Sequence, residues 1–419
     1  MKAIRWHPPS FDIRVEEIPA PKIEHPDDAI VKVSLAALCG SDLHIYRGHG
    51  GPGITAVHTC GHEFIGHVVE LGSNYGVDSA KGRPELYATL KVGDKVVSPF
   101  TVNCGECGVC RLGYTCRCPS GLLFGSPALE GGQAQYVRVP KAGATLFNLN
   151  DPHSWSSSLP AELKATALAG IADSSLLMLA DILPTGVFAA LQALNHPKVL
   201  PALTGRPFPT SFFPGEASAA MVAEDRTLTF AIIGLGPVGL CAAVSLLDML
   251  ASKELPFQII AIDPVEDRRA KAMAIYNKID TAGKGKGTFE TCDIEQAKKR
   301  CVGCSAVLEV VGNTSAISLA YDLVRNFGAI TSVGVHGQPP VPFTGSQLYA
   351  KNVSFDFGRC PARAMFPLAF DLLVKRQDVF GEVGGPDSLV DRIVSPDEAP
   401  EMYRAFEKNQ VGKVVFKMN

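Results

Sequence analysis

The sequence predicts an α/β protein of two units: a β-rich unit at the start of the chain, then a doubly wound parallel sheet. Three observations carry this. Residues 1 to about 150 fall into short apolar runs cut by Gly, Pro and Asp, such as AIVKVSLAALC, HEFIGHVVELG and DKVVSPF, a pattern of strands with long loops. From Leu228 strand-like and helical stretches alternate. The strand candidates TLTFAIIG, FQIIAID, SAVLEVVG and AITSVGV are nearly continuously apolar, as strands buried on both faces of a parallel sheet are. The tail FEKNQVGKVVFKMN reads as a further strand, free to return to the first unit.

Between these blocks, about 160 to 196 is helical in pattern, as in SLLMLADILPTGVFAALQAL. Residues 197–226 are rich in Pro, Gly and Ser and read as a surface excursion or lid. After Asp263 the stretch NKIDTAGKGKGTFETCDIEQAKKRC stands where a third strand is usual, and its KGKG segment predicts a mobile loop. From about Asn352 the alternating pattern stops.

Composition excludes several classes. With 419 residues the chain supports two or three domains, and 46% apolar with 19% charged residues is ordinary for a globular protein. Net charge is −3 from 39 basic and 42 acidic residues, with no basic stretch, which argues against a nucleic-acid footprint. No uninterrupted run of about 18 apolar residues occurs, so no membrane span is expected. The opening MKAIRWHPPSFDIRVEEIP alternates like strands and is not a signal peptide, making a cytoplasmic location the expectation. There, twelve cysteines read as metal ligands and buried thiols rather than six disulfides.

The densest cysteine cluster narrows the chemistry. Cys104, Cys107, Cys110 and Cys118 lie in one glycine-bearing loop, spaced C-x2-C-x2-C-x7-C. Four thiolates at this density suit a closed tetrahedral zinc site with sulfurs about 2.3 Å from the metal, which stabilises a loop and catalyses nothing. Cys116 is the one rival to Cys118. A disulfide cluster is the weaker reading, since adjacent C-x2-C pairs close poorly as structural bridges.

A second motif is Gly234-Leu-Gly236-Pro237-Val238-Gly239, which follows an apolar strand and opens an apolar helix. Gly234 suits the tight turn, Gly236 the approach of a pyrophosphate to the helix N-terminus, and Gly239 close helix–strand packing. Asp263 ends the next strand, 24 residues beyond Gly239, where a carboxylate can accept both ribose hydroxyls and repel a 2′-phosphate. NAD is favoured on that basis. Arg268 and Arg269 lie close behind and keep NADP open. Val311-Gly312 and Gly334-Val335 end further strands, where open α/β sheets bind ligands, and Val335 is positioned to pack on a nicotinamide.

A third constellation is Cys39-Gly-Ser41-Asp-Leu-His44, followed by Gly61-His62-Glu63. Thiolate and imidazole are zinc ligands, and a site with three protein ligands keeps its fourth position for substrate. Here the chain resembles the zinc-dependent medium-chain dehydrogenase/reductases, the zinc alcohol dehydrogenase superfamily, through CGSDLH, GHEFIGHVVELG, the four-cysteine loop, GLGPVG and the terminal KVVFKM. These span nearly the whole chain; the 197–226 excursion is not part of the family pattern. The resemblance implies a GroES-like catalytic domain, 1–190 and 348–419, around an inserted Rossmann domain, 191–347.

Within that resemblance Cys39 and His62 would be catalytic zinc ligands, with Glu63 beside the metal or joining it transiently. Asp181, in DILPTG, sits where many relatives carry a third, cysteine ligand; the pattern resembles the formaldehyde-dehydrogenase-like branch, in which an Asp takes that role. Glu63 is the alternative third ligand. Ser41 would bridge the reacting oxygen to the cofactor ribose, and His44, with a free pKa near 6.5, would pass the proton on. Arg363, in GRCPAR, matches an arginine that meets the pyrophosphate, a solvated surface arginine being the other reading. The expected cofactors are two Zn²⁺ per chain and NAD or NADP. The partners are a small alcohol or carbonyl substrate and further copies of the chain, as a homodimer or homotetramer. Zinc lowers the pKa of a bound oxygen from about 16 to about 7. Nine units at about 1.36 kcal/mol each is about 12 kcal/mol, an upper guide for an alcohol. The competing readings are a dehydrogenase-like binding or regulatory protein and a zinc-free alkene reductase, against which the ligand set speaks.

Overall fold

The computed structural model describes residues 1–49, 55–151, 153–200, 227–253, 255–279, 284–300, 303–337 and 340–419. The excursion therefore lies outside the described residues from 201 to 226, and Phe208, Phe212 and Phe213 with it.

Among the described residues, sixteen strands follow in chain order. In the amino-terminal part these are β1 (Lys2–His7), β2 (Asp12–Glu17), β3 (Ala29–Ala37), β4 (His58–Thr59), β5 (Glu63–Leu71), β6 (Lys95–Ser98), β7 (Tyr136–Val139) and β8 (Phe147–Asn148). Then come β9 (Leu228–Ile233), β10 (Phe257–Ile262), β11 (Gly287–Cys292), β12 (Cys304–Glu309), β13 (Val324–Ser332) and β14 (Ser354–Phe357), and last β15 (Val390–Val394) and β16 (Lys413–Lys417).

The chain divides into two compact units, Met1–Pro184 with Pro361–Asn419, and Thr185–Cys360. The discontinuous unit holds a three-stranded sheet, β2-β1-β4, and a seven-stranded sheet, β15-β16-β3-β5-β6-β8 with β7 also on β3. Its core gathers Trp6, Phe64, Phe124, Tyr403 and Phe416, all essentially buried. Terminal strand β16 lies antiparallel to β3, with Val415 opposite Ala37. Burying the apolar run VVF against β3 is what draws the end of the chain back to its beginning.

The continuous unit is a six-stranded parallel sheet ordered β11-β10-β9-β12-β13-β14. The chain winds outward one way from β9 and then the other way from β12, so the switch point lies between these two strands. Two strands correct the sequence reading: β11 forms inside the segment expected to depart from the pattern, and β14 lies beyond Asn352, parallel to β13.

The unit boundaries shift accordingly, to after 184 and after 360 instead of 190 and 347. β14 extends the second unit past 347. At the other end Gly186 packs so closely on Cys241 and Ala242 that a Cβ there would collide with them, fixing the residues after Pro184 to the parallel-sheet unit.

Candidate active site

In the discontinuous unit, strand pairing builds the candidate metal centre. Register places Ala37 of β3 opposite Glu63, the first residue of β5. Cys39 lies just past the end of β3 and His62 just before β5, so the two motifs meet at one end of the sheet. Asp181 follows the short helical turn Leu177–Ala180. Donor atoms of Cys39, His62, Glu63 and Asp181 all lie within 4.8 Å of one another.

The spacing fits a metal. Tetrahedral zinc with ligands at ordinary lengths has edges of about 3.4 Å between nitrogen and oxygen and about 3.6 Å between sulfur and oxygen. His62 Nε2 is 3.3 Å from Asp181 Oδ2, and Cys39 Sγ is 3.7 Å from the same oxygen. The Ser41 hydroxyl stands 3.3 Å from both Cys39 Sγ and His62 Nε2. His44 sits in the following helix, Asp42–Tyr46; burial, with the charges of Arg47 and His49, holds its pKa below the ordinary histidine value.

Asp42 and Lys413, with Gln133 and Tyr403 behind Asp42, escaped the sequence reading. Asp42 Oδ1 lies 3.3 Å from His62 Nδ1, while its other oxygen accepts from the Cys39 backbone N–H at 3.0 Å. Gln133 Nε2 reaches that same oxygen at 3.5 Å, and Tyr403 donates its hydroxyl to Gln133 Oε1 at 2.8 Å. Burial opposes charge on His62, but Asp42 and Asp181 outweigh it, and its pKa lies well above the ordinary value. Lys413, on β16, pairs with Glu63 through both carboxylate oxygens at 2.6 and 2.7 Å, with both side chains essentially inaccessible. Burial disfavours the ammonium, yet Glu63 and Cys39 raise its pKa. The signal for Asp42 was present, as the acid inside CGSDLH. For Lys413 it was only a lone lysine opening an apolar strand.

The loop cluster forms as well. Thiols of Cys104, Cys107, Cys110 and Cys118 lie within 4.8 Å of one another, with Cys118 rather than Cys116 as the fourth member. Four sulfurs about 2.3 Å from one zinc would be about 3.8 Å apart, and Cys104 and Cys110 are separated by 3.9 Å. Backbone N–H groups of Glu106 and Cys107 donate to Cys104 Sγ. Burial alone would raise that thiol, but these donors bring it down to about 7. Arg363, expected at a pyrophosphate, has partners within the discontinuous unit. Its guanidinium donates to the Thr145 and Leu146 carbonyls at 3.1 and 2.9 Å and lies over the Phe147 ring. Asp173 pairs with Lys95.

In the parallel-sheet unit the glycine motif lies between β9 and the helix Pro237–Ala251. Gly234 has φ of +94°, a Cβ on Gly239 would overlap the Gly234 carbonyl, and Gly236 faces open space. Pro237 and Val238 form the first turn of the helix. Asp263 accepts from the Leu235 and Val265 N–H groups at 2.8 Å each, and Arg268 approaches it to 3.6 Å. Arg269 is spent on the Asp263 and Pro264 carbonyls. Val311 and Val335 are 41% and 50% exposed at this end of the sheet, where an apolar ring can stack.

Comparison with known proteins agrees with this geometry. Residues 25–151 match the alcohol dehydrogenase GroES-like domain. A zinc-type alcohol dehydrogenase B of Aspergillus flavus is 36% identical over 423 residues, covering 100% of this chain and 81% of that protein. A medium chain reductase/dehydrogenase of an Acremonium species is 37% identical over 350 residues, covering 83% of this chain and 98% of that one. Among solved structures, the alcohol dehydrogenase from Thermus sp. ATN1 superposes with a TM-score of 0.72 at 27% identity, covering both chains fully. The chain belongs to the zinc-dependent medium-chain dehydrogenase/reductase family. It is an oxidoreductase that transfers hydride between an alcohol, aldehyde or ketone and a nicotinamide cofactor, with zinc in its chemistry.

Proposed function

We propose that Cys39, His62 and Asp181 hold a catalytic zinc, that Cys104, Cys107, Cys110 and Cys118 hold a second, structural one, and that the chain prefers NAD to NADP. The observation that carries this reading is the convergence of three chemically distinct donors at tetrahedral spacing, in a pocket that also holds a neutralised carboxylate. Bound there, zinc supplies Lewis-acid polarisation of the substrate oxygen.

The protein's own groups do the rest. Asp42 orients His62 so that Nε2 faces the donor cluster. Ser41 stands beside both Cys39 and His62, where its hydroxyl can take the substrate proton. His44, whose pKa is lowered by burial and by the charges of Arg47 and His49, can accept that proton in turn. Both Glu63 carboxylate oxygens are bonded to Lys413, which supports Asp181 as the third ligand. Asp263 offers its carboxylate at the end of β10, and its contact with Arg268 supports a ribose site with a partly balanced charge. Substrates are small alcohols or carbonyls. The family resemblance supports a cytoplasmic enzyme acting as a homodimer or homotetramer; separately, no single described helix is long and apolar enough to cross a membrane.

A panel of alcohols, aldehydes and ketones followed by NADH and NADPH absorbance, with zinc quantified per chain, tests the proposal. Two zincs and NAD-linked turnover are expected. One zinc per chain, or turnover with NADPH alone, overturns it.

A further inference from the structure

At the switch point, a polar cluster lies directly beneath the two exposed valines. Glu309 ends β12 and is fully buried. Its Oε1 accepts the backbone N–H groups of Val311 and Gly312 at 2.9 and 2.8 Å. Oε2 accepts the Ser332 hydroxyl from the end of β13 at 2.7 Å. His336 Nε2 stands 2.9 Å from Ser332 Oγ and 3.0 Å from Glu309 Oε2, so an N–H there donates to both. The His336 ring also packs on Phe357 of β14, with centroids 4.7 Å apart.

One carboxylate therefore ties the loop after β12 to the loop after β13. The same loops touch backbone to backbone at Gly312 and Gly334, where any Cβ would collide. Val311 in turn abuts Gly234, the first glycine of the dinucleotide motif, since a Cβ built there would meet it at 2.7 Å. A buried anion earns such a place only when fully bonded, and Glu309 is; burial works against its ionised form, but His336, Ser332 and the Gly312 N–H together hold its pKa below the ordinary value.

We propose that Glu309, Ser332 and His336 form a positioning clasp for the nicotinamide half of the cofactor, fixing Val311 and Val335 as the apolar surface against which the ring packs. The inference rests on the nicotinamide-cofactor reading above. His336 is the member to vary, because its side chain is at the rim while Glu309 is fully buried.

The test is equilibrium titration of the purified protein with NADH, followed by cofactor fluorescence, and with ADP-ribose, which lacks the nicotinamide, as competitor. His336→Ala should weaken NADH roughly five- to tenfold, the scale of one net hydrogen bond, while ADP-ribose stays within about twofold. His336→Gln, which keeps a donor, should restore most of the NADH affinity. In steady state the Ala variant should raise KM for the cofactor more than it lowers kcat. Should the Ala variant fail to fold by thermal melting, Ser332→Ala carries the same comparison. Equal weakening of both ligands, or no change in either, overturns the clasp. A wild-type protein that binds ADP-ribose but not NADH overturns it too, and one that binds neither removes the cofactor reading on which it rests.

Discussion

Asp42 holds the far nitrogen of His62 at 3.3 Å, with both side chains buried. A ligand imidazole fixed in this way presents Nε2 in one direction and one tautomer. Asp42→Asn keeps the volume but weakens that hold. Metal affinity at the Cys39 site should fall about 10–100-fold, measured by competition with a chromophoric chelator, with the loop site unaffected.

Asp181→Ala removes one of the three proposed donors. The variant should retain the loop zinc, lose the other, and lose activity by at least about 100-fold, read by metal analysis on the same sample as the assay. Full retention of both metals and of activity would reassign the third ligand to Glu63.

Lys413→Met leaves the Glu63 carboxylate buried without its cation. Removing one partner of such a pair costs about 3–5 kcal/mol, seen as a lower midpoint in urea. Combining it with Glu63→Gln should recover a large part of the loss, since both charges are then gone.

How far the sequence revealed this site depended on distance along the chain. Cys39 with His44, His62 with Glu63, the four loop cysteines and the glycine turn are local patterns, each written within a few residues. The Glu63–Lys413 pair joins residues 350 apart, and no local pattern announces it. The missed strands β11 and β14 are the two edges of the parallel sheet. Edge strands bury less, so TFETC and SFDF carry polar residues where the central strands are apolar. The partners of Arg363, the Thr145 and Leu146 carbonyls, lie 218 and 217 residues away along the chain and are likewise beyond any local pattern.

Cys107→Ser should act on folding before catalysis. Thermal melting should show a lower transition and partial loss of zinc, while the surviving folded fraction keeps its cofactor affinity.

Acid sensitivity should include the Asp27–Arg83 pair. Asp27 is raised by burial, but Arg83 at 2.7 Å and Asn74 at 2.9 Å outweigh this and depress its pKa. A depressed folded pKa gives stability that is present above the unfolded value of about 4 and lost as pH falls through the folded one. Asp27→Asn should therefore melt roughly 2–4 °C below wild type at pH 7, with the gap closing on acidification below about pH 4.

The interrupted layout of the first unit sets an order of assembly. During synthesis the proposed metal ligands emerge early, between positions 39 and 181, but the cation that neutralises Glu63 is residue 413. The continuous parallel-sheet unit, 185–360, is completed in between and can fold as it leaves the ribosome. Until β16 docks on β3, Glu63 has no counter-ion and the sheet beneath Cys39 has an open edge. In a nascent chain the parallel-sheet unit can thus be finished while the Cys39, His62 and Asp181 cluster still lacks the strand that neutralises Glu63, so the proposed metal pocket is completed only after the last residues are made.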